Sequence, residues 1–336
     1  MNCIQGHTNQ KSSMAALGLA MLTFFILIAG ADRPLQAQIE STHARVPLVT
    51  HNSWTSGSAV PIALQYPMVG VLKGQIYAVG GVTDTAIVAN NQIYAPTTNS
   101  WSTGTALPVA TADGTAAVVK NVLYVFGGTT DGSTATNAVW AYSPKTKTWS
   151  GKSAMPTARF SAAAAVEKNI IYVIGGNGNN GDLRLNTVES YNPATDTWTE
   201  EAPLIIGKSE PSVGLIGSTI IAADGFQGAG DLGENEGYSA TTNAWTSLTA
   251  DPIARNAACG GSVGANLYVA GGNGGTTVTE SFKLSKNKWT TLASMPQGVI
   301  SPGSAVNKGI LYCFGGSNSG VFFQGSVFNY LQIYQP

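Results

Sequence analysis

Residues 170–198 read IIYVIGGNGNNGDLRLNTVESYNPATDTW, and this stretch holds three markers that decide the fold. An apolar run ends in Gly175-Gly176, a Tyr-x-Pro tripeptide begins at Tyr191, and Trp198 follows that tyrosine by seven residues. A short apolar run bounded by glycine predicts a β-strand. Whether such markers recur at a fixed period decides the architecture, because a repeat of this size predicts a solenoid or a propeller.

The markers recur along the chain with one common period. Successive tryptophans are separated by 47, 48, 49, 47 and 44 residues, and the glycine pairs by the same five steps. The tryptophans are Trp54, Trp101, Trp149, Trp198, Trp245 and Trp289. The pairs begin at Gly80, Gly127, Gly175, Asp224 (a degenerate member), Gly271 and Gly315. Six units of four short strands predict an all-β, six-bladed β-propeller, with the tryptophans as packing anchors.

The two ends of the repeat region predict how the ring closes. The chain ends at Tyr334-Gln335-Pro336, before the tryptophan that this unit requires, whereas an extra tryptophan, Trp54, opens the series. We therefore expect the last blade to take its fourth strand from the N-terminal side, which hides the edge strands. The inner strand of each blade is small and apolar, most clearly at 161–166.

These segments resemble the kelch repeat family. The matching pieces are LYVFGG at 123–128, IYVIGG at 171–176 and LYVAGG at 267–272, each followed at set distances by an aromatic residue and tryptophan. The resemblance covers about residues 52–336 and implies the propeller fold. It implies little about function, since kelch propellers serve as enzymes, scaffolds and receptors and function lies in sites grafted on the fold.

Composition excludes several classes of function. Lys plus Arg is 17 and Asp plus Glu is 18, so the net charge of -1 argues against nucleic acid as a partner. The three histidines all precede Asn52, which removes histidine metal ligands and histidine-based triads from the main body. The motifs G-x-G-x-x-G at 176–181 and G-x-S-x-G at 260–264 lack the helix that each requires. We expect no cofactor and no metal.

The N-terminal region predicts export. Residues 14–30 are apolar except for Thr23 and follow Lys11, the layout of a signal peptide. We assign 1–37 to a signal peptide or an uncleaved anchor, 38–51 to a lead-in and 52–336 to the propeller. The body is then secreted, periplasmic or extracellular, or anchored through 14–30. Cys259 and Cys313 are either bonded to each other or two buried thiols.

Candidate site residues emerge when the blades are aligned on the first glycine of each pair. Sixteen residues earlier, three consecutive blades carry the cations Arg159, Lys208 and Arg255, which we expect to face a central funnel. Two residues further on lie Tyr66, Asp113, Ser161, Glu210, Ala257 and Ser301. The two arginines would each bind a ligand carboxylate through paired hydrogen bonds. The alternative is that these cations only brace neighbouring loops.

Blade four departs from the pattern at Asp224 and in the acidic segment 226–236, which is either part of a polar pocket or a solvated surface. Glu210 or Asp224 would orient hydroxyl groups or move a proton. Asp113 joins the arginines and Lys208 as a ligand-binding candidate. Glu189 and Glu280 each precede a strand-c aromatic by two residues, which predicts a shared structural role.

Two functions follow as expectations. The first is a monomeric binding module that holds a protein, a glycan or a small acidic ligand on its loop face. The second is a metal-free carbohydrate isomerase, since exported kelch propellers that act as sialic-acid mutarotases are similar in size and blade number. The even repeat length of 44 to 49 residues leaves no room for the long insertions of those enzymes.

Overall fold

A computed structural model describes residues 50–179 and 184–336, and this part of the chain forms six four-stranded antiparallel sheets. Each sheet is one blade, with strands a to d running from the axis outward. The predicted all-β, six-bladed propeller is therefore confirmed. The proposed signal peptide or anchor at 1–37, and the lead-in up to Val49, lie outside the described residues.

The blades share one strand plan. The a strands are β2 (Met68–Leu72), β6 (Thr115–Val119), β10 (Ala163–Glu167), β14 (Ser212–Ile216), β18 (Cys259–Val263) and β22 (Gly303–Asn307). The b strands are β3 (Gln75–Val79), β7 (Val122–Phe126), β11 (Ile170–Ile174), β15 (Thr219–Gln227), β19 (Asn266–Ala270) and β23 (Ile310–Phe314). The c strands are β4 (Asn91–Ala95), β8 (Val139–Ser143), β12 (Val188–Asn192), β16 (Gly230–Ser239), β20 (Thr279–Lys283) and β24 (Leu331–Gln335). The d strands are β5 (Ser100–Thr103), β9 (Thr148–Gly151), β13 (Thr197–Glu201), β17 (Ala244–Leu248), β21 (Lys288–Thr291) and β1 (Ser53–Ser56).

Two short 3-10 turns, Asn273–Gly275 and Leu284–Lys286, accompany these strands. Among the described residues, no helix has the length and apolar character needed to cross a membrane.

The ring closes as the sequence predicts. Strand β1 pairs with β24 in antiparallel register, with Trp54 opposite Tyr334 and Ser53 opposite Gln335. The inner strands of neighbouring blades contact one another all the way around the axis. Both ends of the repeat region therefore lie in blade six. Strand β1 completes the four strands of this blade, so the ring of blades is closed.

The repeated tryptophans join the blades. Each one packs on the aromatic residue of its own strand c, with Tyr191 and Trp198 ring centroids 5.0 Å apart. Each indole also donates a hydrogen bond to a backbone carbonyl of the preceding blade, as Trp198 does to Ser153 at 2.9 Å. The same bond recurs for Trp54, Trp101, Trp149, Trp245 and Trp289. Their interpretation as packing anchors is confirmed.

The antiparallel order gives the propeller two different faces. The a–b and c–d turns lie at one end of every blade, which we call the hairpin face. The b–c and d–a connections lie at the other end, which we call the loop face. The inner strand of blade three begins at Ala163, two residues later than predicted, because Ser161 has a left-handed backbone with φ of 54°.

Cys259 and Cys313 form a disulfide with a Cα–Cα distance of 5.7 Å. It links β18 of blade five to β23 of blade six, and both residues are fully buried. Of the two alternatives that the sequence leaves open, the structure therefore has the bonded pair. The bond joins neighbouring blades close to the point of ring closure.

Candidate functional site

A closed ring of backbone hydrogen bonds surrounds the propeller axis at the loop-face end of the inner strands. One residue per blade takes part, and each donates its N–H to the carbonyl of its counterpart in the preceding blade over 2.7 to 3.3 Å. The members are Tyr66, Asp113, Ser161, Glu210, Ala257 and Ser301. All six have φ between 51° and 58°. This left-handed conformation costs a non-glycine residue on the order of 1 kcal/mol, and at this position it turns each side chain toward the axis.

The ring residues line two neighbouring cavities, which have Tyr66 and Glu210 in common. A small one of about 120 Å³ lies on the axis, lined by Tyr66, Asp113, Glu210 and Ser301 among others. A larger one of about 540 Å³ opens on the loop face, and Tyr66 and Glu210 line it as well. We call the two cavities together the funnel. Its volume falls in the range of small-molecule sites, roughly 300–1,000 Å³.

The two carboxyl groups of the ring have perturbed acidities. Burial raises the pKa of Glu210 from its ordinary value of 4.5 to about 7, against the opposing effects of the neighbouring Tyr66 hydroxyl and the charge of Arg184. Burial, then the charge of Glu210, raises the pKa of Asp113 well above its usual range. Asp113 accepts a hydrogen bond from Ser161 Oγ at 2.6 Å. Glu210 therefore exchanges its proton near neutral pH, and Asp113 holds its proton more tightly than a solvent-exposed aspartate does.

The blade-four and blade-five side of the funnel mouth is polar with one aromatic residue. Asp231 accepts hydrogen bonds from Asn256 Nδ2 at 2.7 Å and from Asn273 Nδ2 at 3.0 Å. The guanidinium carbon of Arg184 lies 4.9 Å from the centre of the Phe226 ring. The acidic segment of blade four thus contributes to the mouth as an extension of the β15–β16 hairpin, in which Phe226 pairs with Asp231.

The next side of the mouth comes from blade six, which adjoins blade five. Phe322 stacks on Tyr66 with ring centroids 5.0 Å apart and planes 7° from parallel. The Tyr66 hydroxyl donates to the carbonyl of Gly320, and Gln65 Nε2 donates to that of Val321 at 3.3 Å. The neighbouring side chains of Val321 and Phe323 are 50% and 46% exposed. This loop therefore holds the tyrosine in place and presents an apolar tip beside the funnel.

The expectation that Arg159, Lys208 and Arg255 face the funnel is wrong. All three side chains are at most 1% exposed and are paired inside their blades. Their partners lie on strand c of the same blade: Arg159 with Glu189 at 2.9 Å, Lys208 with Glu236 at 3.2 Å, and Arg255 with Glu280. The physical reason is that the backbone carbonyl at this position accepts the N–H of the second glycine of the preceding blade, as Arg159 does from Gly128 at 2.9 Å. The side chain then points into the blade, and the residue two positions later turns to the axis.

A pattern within the repeats could have shown this pairing. The three blades that carry a cation at the aligned position carry glutamate two residues before the strand-c aromatic. The other three blades carry Leu64, Thr111 and Val299 at the first position, and Gln92, Trp140 and Gln332 at the second. The glutamates and glutamines also fix the d–a loop, as Gln92 does by accepting from the Ile62 N–H at 2.8 Å. The predicted shared structural role of Glu189 and Glu280 fits these contacts.

Asp224 likewise does not reach the funnel. It is fully buried in the space where other blades have the first glycine of the pair, which faces the next blade and not the axis. Burial and then the charge of Asp251 raise its pKa well above the usual range. The carboxylate of Asp251 in turn lies 3.4 Å from Arg255 Nε.

No group of three or more His, Cys, Asp or Glu side chains within 50–179 and 184–336 is arranged to hold a metal ion. Of the residues proposed from the sequence, the structure thus brings Asp113 and Glu210 together in the funnel. Tyr66 was aligned with them but was not proposed as a site residue, and Phe226, Asn256 and Asn273 emerge only from the three-dimensional arrangement.

The fold and the axial site define a six-bladed propeller of sequence repeats whose ligand-sized cavity opens on the loop face. The chain belongs to the kelch-repeat family, since residues 67–272 match the KLHDC2/KLHL20/DRC7 Kelch-repeats domain. The solved structure of YjhT superposes with a TM-score of 0.72 over 82% of this chain and 96% of that chain, at 18% identity, which shows likeness of fold.

Two curated relatives match over 152 residues. Kelch-like protein terF of Aspergillus terreus is 26% identical over 40% of this chain, and Kelch-like protein 23 of Mus musculus is 25% identical over 44%. The matched region spans 33% of the first relative and 26% of the second. Membership of this family supports a binding or recognition role in general and, coarsely, a protein partner.

Proposed function

We propose that this protein is an exported binding module whose funnel holds a group rich in hydrogen-bond donors, either polyhydroxyl or cationic. The observation that carries the proposal is the pair of carboxyl groups, Asp113 and Glu210, in the small axial cavity, where Glu210 also lines the larger cavity that opens on the loop face. The same cavity volume is large enough for a monosaccharide-sized ligand or for one side chain of a protein partner.

The two carboxyl groups at the funnel floor support this class of ligand. An ionised Glu210 and a neutral Asp113 both have oxygens that accept hydrogen bonds, so hydroxyl or ammonium groups are matched donors. An anionic ligand would meet like charge in a buried place. The arginine fork expected for an acidic ligand is absent from the funnel, because Arg159 and Arg255 are paired with glutamates inside the blades.

Export is part of the proposal and has separate support. The apolar run at 14–30 predicts passage across a membrane. A buried disulfide between Cys259 and Cys313 is typical of proteins that fold in an oxidising compartment.

The test is a set of thermal shifts with matched ligands: neutral monosaccharides, amines such as lysine amide and arginine amide, and sugar acids. A ligand present at 100 times its dissociation constant adds about 2.7 kcal/mol to the free energy of unfolding. We expect stabilisation by a neutral or cationic ligand that is lost in Glu210→Gln and retained in Glu200→Gln, an exposed strand-d control. Stabilisation by sugar acids alone would refute the proposed ligand class.

The pH dependence then separates the two kinds of ligand. A cation binds best to ionised Glu210, so its affinity rises as pH passes through about 7, the pKa of Glu210. A neutral polyhydroxyl ligand gains less from this ionisation. A flat affinity profile would therefore favour the polyhydroxyl class.

The second candidate function is a metal-free carbohydrate isomerase. One observation favours it: Glu210, a carboxyl group with a pKa of about 7, lines the larger cavity and lies beside Asp113, a second carboxyl group whose pKa is also raised. A group that gains and loses its proton near neutral pH is suited to general acid–base catalysis. NMR exchange spectroscopy of sugar anomers tests this function. Exchange that is accelerated by the protein and abolished in Glu210→Gln would establish turnover.

A further inference from the structure

The charges of the propeller are sorted between its two faces although they nearly cancel in sum. On the loop face, Asp84 and Asp131 are exposed and Glu210 and Asp231 are partly exposed, with Arg184 as a cation. Nine exposed lysines, which we call the lysine face, lie at the turns of the opposite end. Lys73, Lys120, Lys168 and Lys308 are on the inner a–b turns, and Lys145, Lys147, Lys283, Lys286 and Lys288 are at the outer c–d turns, where Lys147 contacts the preceding blade. The lysine face is therefore strongly basic although the net charge of the chain is -1.

Little negative charge offsets the lysines. In the described part of the chain, the side-chain carboxylates at the hairpin turns are Glu167 and Asp196. Glu167 is buried, and its carboxylate lies 3.3 Å from the ammonium of Lys168. Asp196 is partly exposed and accepts hydrogen bonds from the Tyr191 hydroxyl and the Ser153 N–H. Within the described residues, Lys168 is thus the one lysine of the nine that forms an ion pair, and the other eight are exposed without a carboxylate partner.

The turns themselves do not require lysine. In four blades a lysine occupies the first position of a two-residue a–b turn, with φ of 47° to 51°. Asparagine, aspartate and glycine adopt this left-handed conformation at lower cost, and blades four and five indeed use Gly217 and Gly264 there. The four turns belong to Lys73, Lys120, Lys168 and Lys308. Lysine at these four turns therefore raises the backbone energy relative to glycine or asparagine, and formation of the turn does not explain why lysine is present.

The N-terminal chain joins the propeller at this same face. Strand β1 starts there, with Ser53 opposite Gln335, and His51 Nδ1 lies 2.6 Å from the carbonyl oxygen of Pro336. The apolar run at 14–30 precedes this point in the sequence by about 20 residues, which span roughly 70 Å at most. A bilayer that holds this run would therefore lie within reach of the lysine face.

We propose that the lysine face docks on an anionic membrane surface, with the funnel on the opposite face directed away from the bilayer. Lysines near an anionic bilayer each strengthen association, and the effect extends over about one Debye length, ~8 Å at physiological ionic strength. Exposed turns at one end of the propeller bring several ammonium groups within that distance together. This inference does not depend on which ligand the funnel holds.

Vesicle flotation tests the proposal on the body from Val49 to Pro336. This unit contains all six sheets, the closing strand pair and the disulfide, so its fold needs no preceding residue. The apolar run is left out because it would bind any bilayer. The probes are phosphatidylcholine vesicles with and without roughly 30% phosphatidylglycerol, at ionic strengths of about 0.1 M and about 1 M.

We expect binding to the anionic vesicles alone, and its loss at high salt. A variant with four changes should bind on the order of 1,000-fold more weakly, at roughly fivefold per lysine: Lys73→Gln, Lys120→Gln, Lys168→Gln and Lys308→Gln. The matched variant with arginine at these four positions keeps the charge and should bind like the parent protein. The salt dependence of the parent protein decides the question even if the glutamine variant is unstable.

Three results would overturn the proposal. The first is no binding to anionic vesicles at low salt. The second is binding that persists unchanged in a correctly folded glutamine variant. The third is tight binding to a soluble polyanion, such as polyphosphate, without any binding to anionic vesicles. None of these results bears on the funnel, so they leave the proposed ligand-binding function to its own test.

Discussion

Replacing Glu210 by glutamine should change how the stability of the propeller depends on pH. Burial holds the pKa of this carboxyl at about 7 in the folded protein, against an ordinary value of 4.5. The folded state therefore keeps the proton more tightly than the unfolded chain does. Between these two pH values, the free energy of unfolding falls as pH rises, because the unfolded chain releases its proton first.

The size of the effect follows from the two pKa values. Each tenfold difference in proton affinity is worth about 1.4 kcal/mol, so the ionisation of Glu210 costs the folded protein about 3 kcal/mol by pH 8. Glutamine keeps the shape and cannot ionise. We therefore expect Glu210→Gln to be close to the parent protein in stability at pH 4.5, and to exceed it by up to about 3 kcal/mol at pH 8.

The assay is denaturant unfolding followed by tryptophan fluorescence across this pH range. The control is Glu200→Gln, since Glu200 is exposed on strand d and does not line the funnel. Its difference from the parent protein should stay constant with pH. A difference between Glu210→Gln and the parent protein that is also constant with pH would refute the burial of an uncompensated carboxyl group at the funnel floor.

Two further predictions concern the joints inside and between the blades. Reducing the disulfide between Cys259 and Cys313, which are separated by 54 residues, should lower the free energy of unfolding by about 4 kcal/mol, because the unfolded chain is then no longer held in a closed loop. A thiol assay confirms that the bond is reduced. An unchanged denaturation midpoint in the reduced protein would contradict this prediction. Arg159→Leu should destabilise the protein by about 3–5 kcal/mol, because it leaves the carboxylate of Glu189 buried without its cationic partner. Adding Glu189→Leu should restore most of that loss, and a double variant as unstable as the sum of the two single variants would argue against a coupled pair.

Much of the fold could be predicted from the sequence because its markers are local. The apolar run before each glycine pair, the strand-c aromatic and the strand-d tryptophan all lie within one unit, so their period shows the number of blades directly. The missing tryptophan after Tyr334 and the extra one at Trp54 likewise show how the ring closes, because four strands per blade have to be completed. These inferences need no knowledge of how blades are placed around the axis.

The funnel could be predicted only in part. Alignment of the blades correctly grouped Asp113 with Glu210, but it took the cations two positions earlier to be their neighbours. In the structure the ring residue itself has a left-handed backbone, with φ of 58° at Asp113 and 54° at Glu210. This conformation points its side chain to the axis and away from the direction of the side chain two residues earlier. That conformation is unusual for non-glycine residues, so residue propensities in the sequence do not predict it. Side chains two residues apart therefore point to entirely different surroundings.

The sequence by itself determined the blades and their strands, because each depends on residues close together in the chain. It also determined the closure, which joins the two ends of the repeat region, because the last blade needs a fourth strand. It also contained the pairing of each buried cation with a glutamate of the same blade, although only a comparison among blades shows it. The tertiary structure alone decided which side chains meet at the axis and which lysines share a face. Both groupings join residues from different blades, and only the closed ring brings those residues within reach of one another.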